Sequence, residues 1–291
     1  MAAEGTPRAG YESLDVSSRE KKAEKIKAIL GSDRELAGAS VLEVGVGSGI
    51  IAACFAELVG RTGAVWGVDI RDSRLVKEGF QFVRTESTSL PFEDEFFDVV
   101  LSNHVIEHVG TRADQLTHLR EIARVLKADG VAYLATPNRW TLLEPHFRLP
   151  LLSWLPAKAR TPYVRLARRG ERYDCDPLSR AELLALCMRA GFDAEERTLE
   201  AIRLTAEIED VPSVVGRIAE APEIVHRALL PLVPTFNLLL RRDRADTCDR
   251  GPVSRRSGAA LGGGAHGDRL GPVDTAASRG RASPGRSSGS S

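Results

Sequence analysis

The chain has 291 residues, of which 43% are apolar, and its 40 basic and 40 acidic side chains cancel to a formal net charge of zero. That length allows one large domain or two small ones, and the balance of charge excludes a global attraction to nucleic acid or to an acidic partner. No run of about 20 apolar residues exists, so no membrane-spanning helix is expected. The opening stretch "MAAEGTPRAGYESLDV" has no apolar h-region, so no secretory signal is expected. Cys54, Cys175, Cys187 and Cys248 form no CxxC pair and are read as reduced thiols of a cytoplasmic protein, without structural zinc.

Residues 1–39 carry one charged amphipathic helix, Ser18–Leu30. Strand-like runs follow at Val41–Gly45, Ala64–Asp69, Phe82–Thr85, Phe97–Asn103 and Val131–Thr136, with helical patterns near Gly49–Leu58, Arg74–Phe80 and Ala113–Leu126 between them. Short apolar strands alternating with helices predict an α/β fold: a doubly wound, mostly parallel sheet covered on both faces. A further helix begins at "LSRAELLALCMRAG", where Ser179 and Glu182 fit a capping box and Gly191 fits a C-terminal cap. A strand is expected near Ala194–Leu199. The domain runs over 40–242, and the stretch 137–177 within it is irregular, rich in Pro, Arg and aromatics, and too long for a simple connection. Residues 243–291, rich in Gly, Ser, Arg and Ala, read as a disordered tail because they cannot bury enough apolar surface to offset their ordering entropy.

The first strand ends in "VLEVGVGSG", with Gly45, Gly47 and Gly49. The dinucleotide fingerprint would need its third glycine at position 50, which is Ile50. Glu43 stands inside the strand, where its charge would repel a pyrophosphate but attract a cationic ligand; the alternative is a buried acid paired with a lysine of the N-terminal helix. Asp69 closes the second strand, placed to accept from both hydroxyls of a ribose; the alternative is a helix N-cap. Glu86 lies beyond the third strand and could accept from an adenine amine, with the Ser87 amide donating to a ring nitrogen; a plain surface loop is the alternative. Together these acids suggest a ligand with an amine, a ribose and an adenine, and no phosphate.

In this order and spacing, the sequence resembles the class I S-adenosylmethionine-dependent methyltransferases of the large bacterial group that methylates small molecules. "VLEVGVGSG" is similar to the family's first motif, met by Glu43, Gly45, Gly47 and Gly49. "VWGVDI" resembles the second, with Asp69 and Ile70, and Glu86 matches the adenine acid, although the stretch reads "TESTS" where the family more often has "GDA". "LPFEDEFFDVVLSNHVIEHV" resembles the fourth-strand motif, with Asp98 opening the strand and Asn103 closing it, and "LKADGVAYLATPN" resembles the entry to strand five. The resemblance implies S-adenosylmethionine as cofactor and a seven-stranded, Rossmann-like sheet ending in an antiparallel hairpin, with Thr235–Arg242 as the last strand.

Methyl transfer from a sulfonium needs mainly positioning and exclusion of water, with a base only where the acceptor must lose a proton. After the fourth strand, "NHVIEHV" offers His104, Glu107 and His108, of which His104 is the catalytic candidate because it follows Asn103 at the strand's end. His104 and His108 have i, i+4 spacing, but with no HExxH pattern and no third ligand in view no metal is expected. "TPNRWTLLEPHFRLPLLSWLP" offers Trp140, Glu144 and His146 as acceptor-binding residues in an apolar, aromatic wall; a lid without side-chain chemistry is the alternative. Lys158, Arg160, Arg165, Arg168, Arg169 and Arg172 follow, suited to a solvated helix face or to peripheral contact with an anionic membrane. The expected function is methylation, by first choice on oxygen, of a small-molecule or lipid-like acceptor in the cytoplasm. Two rivals stand beside it, a nicotinamide-dependent oxidoreductase on a similar sheet and a non-catalytic protein that binds S-adenosylmethionine.

Overall fold

The computed structural model describes residues 16–31, 34–209, 221–222, 224 and 230–243. The expected tail, apart from Asp243, lies outside them.

Seven strands form one sheet: β1 (Ser40–Val44), β2 (Ala64–Asp69), β3 (Gln81–Arg84), β4 (Phe97–Asn103), β5 (Leu126–Pro137), β8 (Phe192–Glu196) and β9 (Thr235–Arg242). Their spatial order is β3-β2-β1-β4-β5-β9-β8. The first five run parallel, and β9 is antiparallel to both neighbours, β5 and β8. The strand order reverses between β1 and β4, so their carboxyl ends open a crevice of the kind that receives ligands in open α/β sheets. Thr235–Arg242 is the strand expected from sequence, here inserted between β5 and β8.

Both faces are covered. On one, α1 (Val16–Gly31) and α2 (Ile50–Val59) bury Ile26, Ile29, Leu30, Ile51 and Phe55, joined by Ala201 of α6 (Thr198–Ile208). On the other, α3 (Arg112–Val125) and α5 (Arg180–Arg189) bury Leu119, Ile122, Leu183 and Leu186 against Leu42, Val100 and Leu134. Thr111 with Asp114 and Ser179 with Glu182 form reciprocal capping boxes that start α3 and α5. Gly191, at φ 84°, turns the chain out of α5.

Three expectations need correction. The pattern at Arg74–Phe80 is not a helix: the Leu75 and Val76 amides donate to the Ser48 carbonyl at 2.8 and 3.1 Å, and Arg74 pairs with Asp72 at 2.8 Å and stacks 4.0 Å over Phe82. The segment spends its donors on closing over the glycine turn, and Gly79 at φ 87° leaves the helical region. The stretch 137–177 is not irregular throughout. It holds a two-stranded ribbon, β6 (Leu143–Glu144) with β7 (Leu149–Pro150), and α4 (Ala157–Leu166) around a small core of Phe147, Leu152, Val164 and Tyr173. The strand expected at Ala194–Leu199 begins earlier, at Phe192, and gives way to α6 at Thr198.

Asp98, at the start of β4, is a structural clamp. Its carboxylate accepts from the Ser40 amide and hydroxyl at 2.9 and 2.6 Å, from Arg34 at 2.6 Å and from Lys127 at 2.9 Å. Burial alone would raise its pKa, but Ser40 and Lys127 outweigh it and hold it at about 2. Asp98→Ala should therefore destabilise the fold by about 2–3 kcal/mol, since several charge-assisted bonds are lost at a mostly buried site. Urea unfolding measures this, and an unchanged midpoint would refute the clamp.

Candidate active site

The crevice is built first from the glycine turn. Gly45, Gly47 and Gly49 all have positive φ, at 75°, 49° and 80°. A Cβ on Gly45 would lie 2.4 Å from Val105 Cγ2, and one on Gly49 would lie 2.2 Å from the Val76 carbonyl oxygen. These two glycines are required by the protein's own loops packing onto the turn, as well as by backbone conformation. Asp69 stands at the carboxyl end of β2, accepting from the Gly47 amide at 3.0 Å and the Arg71 amide at 3.2 Å. Two amides thus fix the plane of a carboxylate that keeps further lone pairs for a ligand. Ile70 beside it is 46% exposed. Glu86 and Ser87 are exposed just beyond β3, where the Ser87 amide leans on Thr85 Oγ1 at 3.5 Å.

Glu43 is buried near the carboxyl end of β1, on the α1/α2 side. Burial raises its pKa to about 8, against opposition from Arg19 of α1 and from a hydrogen bond of the Ala52 amide. That amide belongs to the first turn of α2, whose N-cap Gly49 offers no side-chain cap. Glu43 Oε2 has no hydrogen-bond partner. The lysine pairing weighed above is replaced by this arrangement, with Arg19 the cation whose charge opposes the rise. An open Glu43 oxygen beside the bare turn fits a ligand that brings a hydrogen-bonding amine better than a phosphate.

The carboxyl end of β4 carries the other half. Asn103 closes the strand beside Ala135 of β5. His104 follows with φ 59°, rare for a side chain with a Cβ, and its amide is held by the Ala135 carbonyl at 2.8 Å. Burial lowers the His104 pKa despite the neighbouring Glu107, which keeps the imidazole neutral at pH 7. His104 Nδ1 lies 3.4 Å from Glu107 Oε1, and His146 Nε2 lies 3.7 Å from the same oxygen. Glu107 is fully buried, and although burial pushes its pKa up, His104, His108 and His146 outweigh that and hold it below the usual range. Its Oε2 accepts from Thr136 Oγ1 at 3.3 Å, while Oε1 has no well-aligned hydrogen bond. Glu144 bonds His146 Nδ1 at 2.9 Å and accepts from the Phe147 amide at 2.6 Å.

The structure therefore brings His104, Glu107, Glu144 and His146 together. Trp140 makes its ring contacts with other residues: it meets Trp154 edge-on at 5.4 Å and lies under Arg139, with 40% of its surface exposed. Arg160, expected on a solvated face, is buried, donating to the Leu155 and Ser153 carbonyls. The sequence reading missed Thr136 and Cys175. Glu107 was visible in "NHVIEHV" without its role, whereas Cys175 gives no signal, since 67 residues separate it from His108, its 3.8 Å neighbour.

The chain is similar to known methyltransferases. A family profile described as a methyltransferase domain matches residues 42–134. The chain is 30% identical over 180 residues to the demethylmenaquinone methyltransferase of Lactococcus lactis, covering 56% of this chain and 69% of that protein. The chain belongs to the S-adenosylmethionine-dependent methyltransferases. It is also 34% identical over 146 residues to the ubiquinone/menaquinone biosynthesis C-methyltransferase UbiE of Laribacter hongkongensis, covering 45% of this chain and 59% of that protein. The matched part of the chain thus spans 59% to 69% of the length of these relatives. Among solved structures, the protein of Galdieria sulphuraria assigned as a sarcosine dimethylglycine methyltransferase superposes with a TM-score of 0.50 at 14% identity, over 82% of this chain and 92% of that one, and shares the fold. The expected family, sheet architecture and cofactor class are those found; among the described residues no helix is long and apolar enough to cross a membrane.

Proposed function

We propose that this methyltransferase transfers the methyl group of S-adenosylmethionine to a hydroxylated ring of a lipid-like, quinol-type acceptor. The single observation that carries the acceptor side is His104, a neutral imidazole backed by the buried Glu107 carboxylate at the open end of β4. The cofactor, when bound, supplies an electrophilic methyl on a cationic sulfur. Glu43 would attract its positive charge and amine, Asp69 would accept from the ribose hydroxyls, and Glu86 with Ser87 would meet the adenine edge. Gly45, Gly47, Gly49, Ile70 and Asn103 would line the path between them.

His104 would take the proton of a ring hydroxyl, with Glu107 stabilising the imidazolium that forms. A phenolate carries its charge on oxygen and on the adjacent ring carbons, so the same base serves either atom. The name of one relative at 34% identity favours carbon; the name of another at 34% favours oxygen, as do His104 and His146, both able to hold a hydroxyl. Glu144 and His146 would orient the ring, and residues 137–177 would form the acceptor-side insertion within 40–242, following 1–39. The test is incubation with methyl-labelled cofactor and a desmethyl quinol, followed by identification of the methylated atom. Label on a ring carbon supports the first reading, label on oxygen the second, and no label on any quinol or phenol overturns the acceptor class.

A lipid-like acceptor has to be taken from a bilayer. Trp140, Leu142, Leu143, Leu151 and Trp154 are exposed together, with the Leu151 amide bonded to the Leu142 carbonyl at 2.8 Å. Arg148 and Lys158 are exposed nearby in sequence. Exposed leucines and tryptophans with cations close in sequence suit the headgroup level of an anionic bilayer, which is consistent with a cytoplasmic protein making peripheral contact. The chain should co-sediment with phosphatidylglycerol vesicles, and the double variant Leu142→Glu/Leu151→Glu should lose most of that binding. Equal binding by variant and parent would rule out this patch.

A further inference from the structure

We propose that His108, His146 and Cys175 form a three-ligand site for a zinc-class divalent cation, with Glu107 facing its open position. Ligand atoms of the three side chains lie within 4.8 Å of one another. The one distance that fixes the scale is His108 Nδ1 to Cys175 Sγ, 3.8 Å. A tetrahedral zinc, with bonds of about 2.1 Å to nitrogen and 2.3 Å to sulfur, separates such atoms by roughly 3.6 Å. Little contraction is needed. One thiolate and two imidazoles suit a borderline-soft cation and would not hold magnesium or calcium.

Two independent features support a built site. The first is the carboxylate behind a ligand. Glu144, 1% exposed, hydrogen-bonds His146 Nδ1 at 2.9 Å and is itself fixed by the Phe147 amide. Such a partner sets the tautomer of a metal-binding histidine and turns its other nitrogen, Nε2, to the metal. The second is Glu107 Oε1, a buried oxygen with no well-aligned hydrogen bond, 3.7 Å from that same Nε2. A water or hydroxyl on the open position of the cation would donate to Glu107 Oε1 and remove the anomaly. His104, 3.4 Å from Glu107 Oε1, then bonds the same carboxylate from the other side.

The scaffold holds the ligands in place. The Asp176 amide donates to the Glu107 carbonyl at 2.7 Å, and Gln115 Nε2 bridges the Ile106 and Asp176 carbonyls at 3.1 and 2.9 Å. Arg112 adds a 2.9 Å bond to the Asp176 carboxylate. Spacing in sequence argued against a metal because only His104 and His108 were in view; the fold supplies the missing ligands from the β6–β7 ribbon and from the segment before α5. Metal uptake does not depend on the acceptor proposed above; with a cation bound, both His146 nitrogens would be engaged, by Glu144 and by the metal, and His104 alone would face the acceptor hydroxyl.

The full chain, stripped with a chelator and dialysed against zinc, should retain about one zinc per molecule by mass spectrometry of the metal and melt at a higher temperature than the stripped form. Cobalt(II) in place of zinc should give a near-ultraviolet thiolate-to-metal absorption band. Cys175→Ser should abolish that band and His108→Ala should lower metal content at least tenfold, whereas Cys54→Ser should retain both. If Cys175→Ser fails to fold, His108→Ala, checked by circular dichroism, decides on metal content alone. Wild-type protein that retains no zinc, or a cobalt band unchanged in Cys175→Ser, would overturn the site.

Discussion

Asp69→Ala should weaken cofactor binding by about 1.5–3 kcal/mol, roughly 10- to 150-fold in dissociation constant. The expectation rests on what holds the carboxylate. The Gly47 and Arg71 amides bond its two oxygens at 3.0 and 3.2 Å, so the group is already oriented before a ribose arrives and binding need not order it. Alanine removes the charged acceptor from the ribose and also unties the Gly47 turn. Asp69→Asn separates the two effects, because its carbonyl oxygen can still accept from one amide while the charge is gone. It should fall between wild type and alanine. Titration calorimetry with S-adenosylhomocysteine measures both; a dissociation constant unchanged in Asp69→Ala would sink the ribose assignment.

Glu43 should make both stability and cofactor affinity depend on pH. Its carboxyl has a pKa raised from 4.5 to about 8 by burial. Below pH 4.5, folded and unfolded chains both hold the proton, and nothing is lost. As pH rises from 4.5 to about 8, the unfolded chain releases it while the folded chain keeps it, so the native state loses up to about 1.4 kcal/mol per pH unit. Above about 8 the loss stops growing. Glu43→Gln imitates the protonated form, and its melting temperature should exceed that of wild type by a margin that widens between pH 5 and 8. A cationic ligand acts in the opposite sense, because it favours the ionised carboxylate and expels the proton on binding. Wild-type affinity should rise with pH, by up to about tenfold per unit, and the glutamine variant should show a flat profile and the weaker binding at high pH. Parallel melting curves, or equal pH profiles of affinity, would show that Glu43 does not meet the cation.

Much of the ligand half was legible in the chain because it is local. The run "VLEVGVGSG" and Asp69 sit at the ends of neighbouring parallel strands, and an apolar strand followed by glycines has few other ways to fold. The capping boxes at Thr111 and Ser179 obey short-range rules, and Ser179 was read from its partner three residues away. The acceptor half was only partly legible. Its side chains come from the loop after β4, the β6–β7 ribbon and the segment before α5, and no spacing rule links His108 to Cys175 across 67 residues. Arg74–Phe80 had a helical pattern, but tertiary hydrogen bonds to Ser48 captured its amides. Trp140 looked like a pocket wall because it neighbours Glu144 in sequence, yet Glu144 is buried and Trp140 is exposed against Trp154. Even the glycines changed meaning, since Gly45 and Gly49 are bare largely to admit Val105 and Val76.

The most direct measurement is a paired titration of the full chain with S-adenosylhomocysteine and with NADH at pH 8. With Asp69 intact and Glu43 about half ionised before binding, S-adenosylhomocysteine should bind with a single site and NADH should not compete, because a pyrophosphate would meet the Glu43 carboxylate. Tighter binding of NADH than of S-adenosylhomocysteine would contradict the account at its centre.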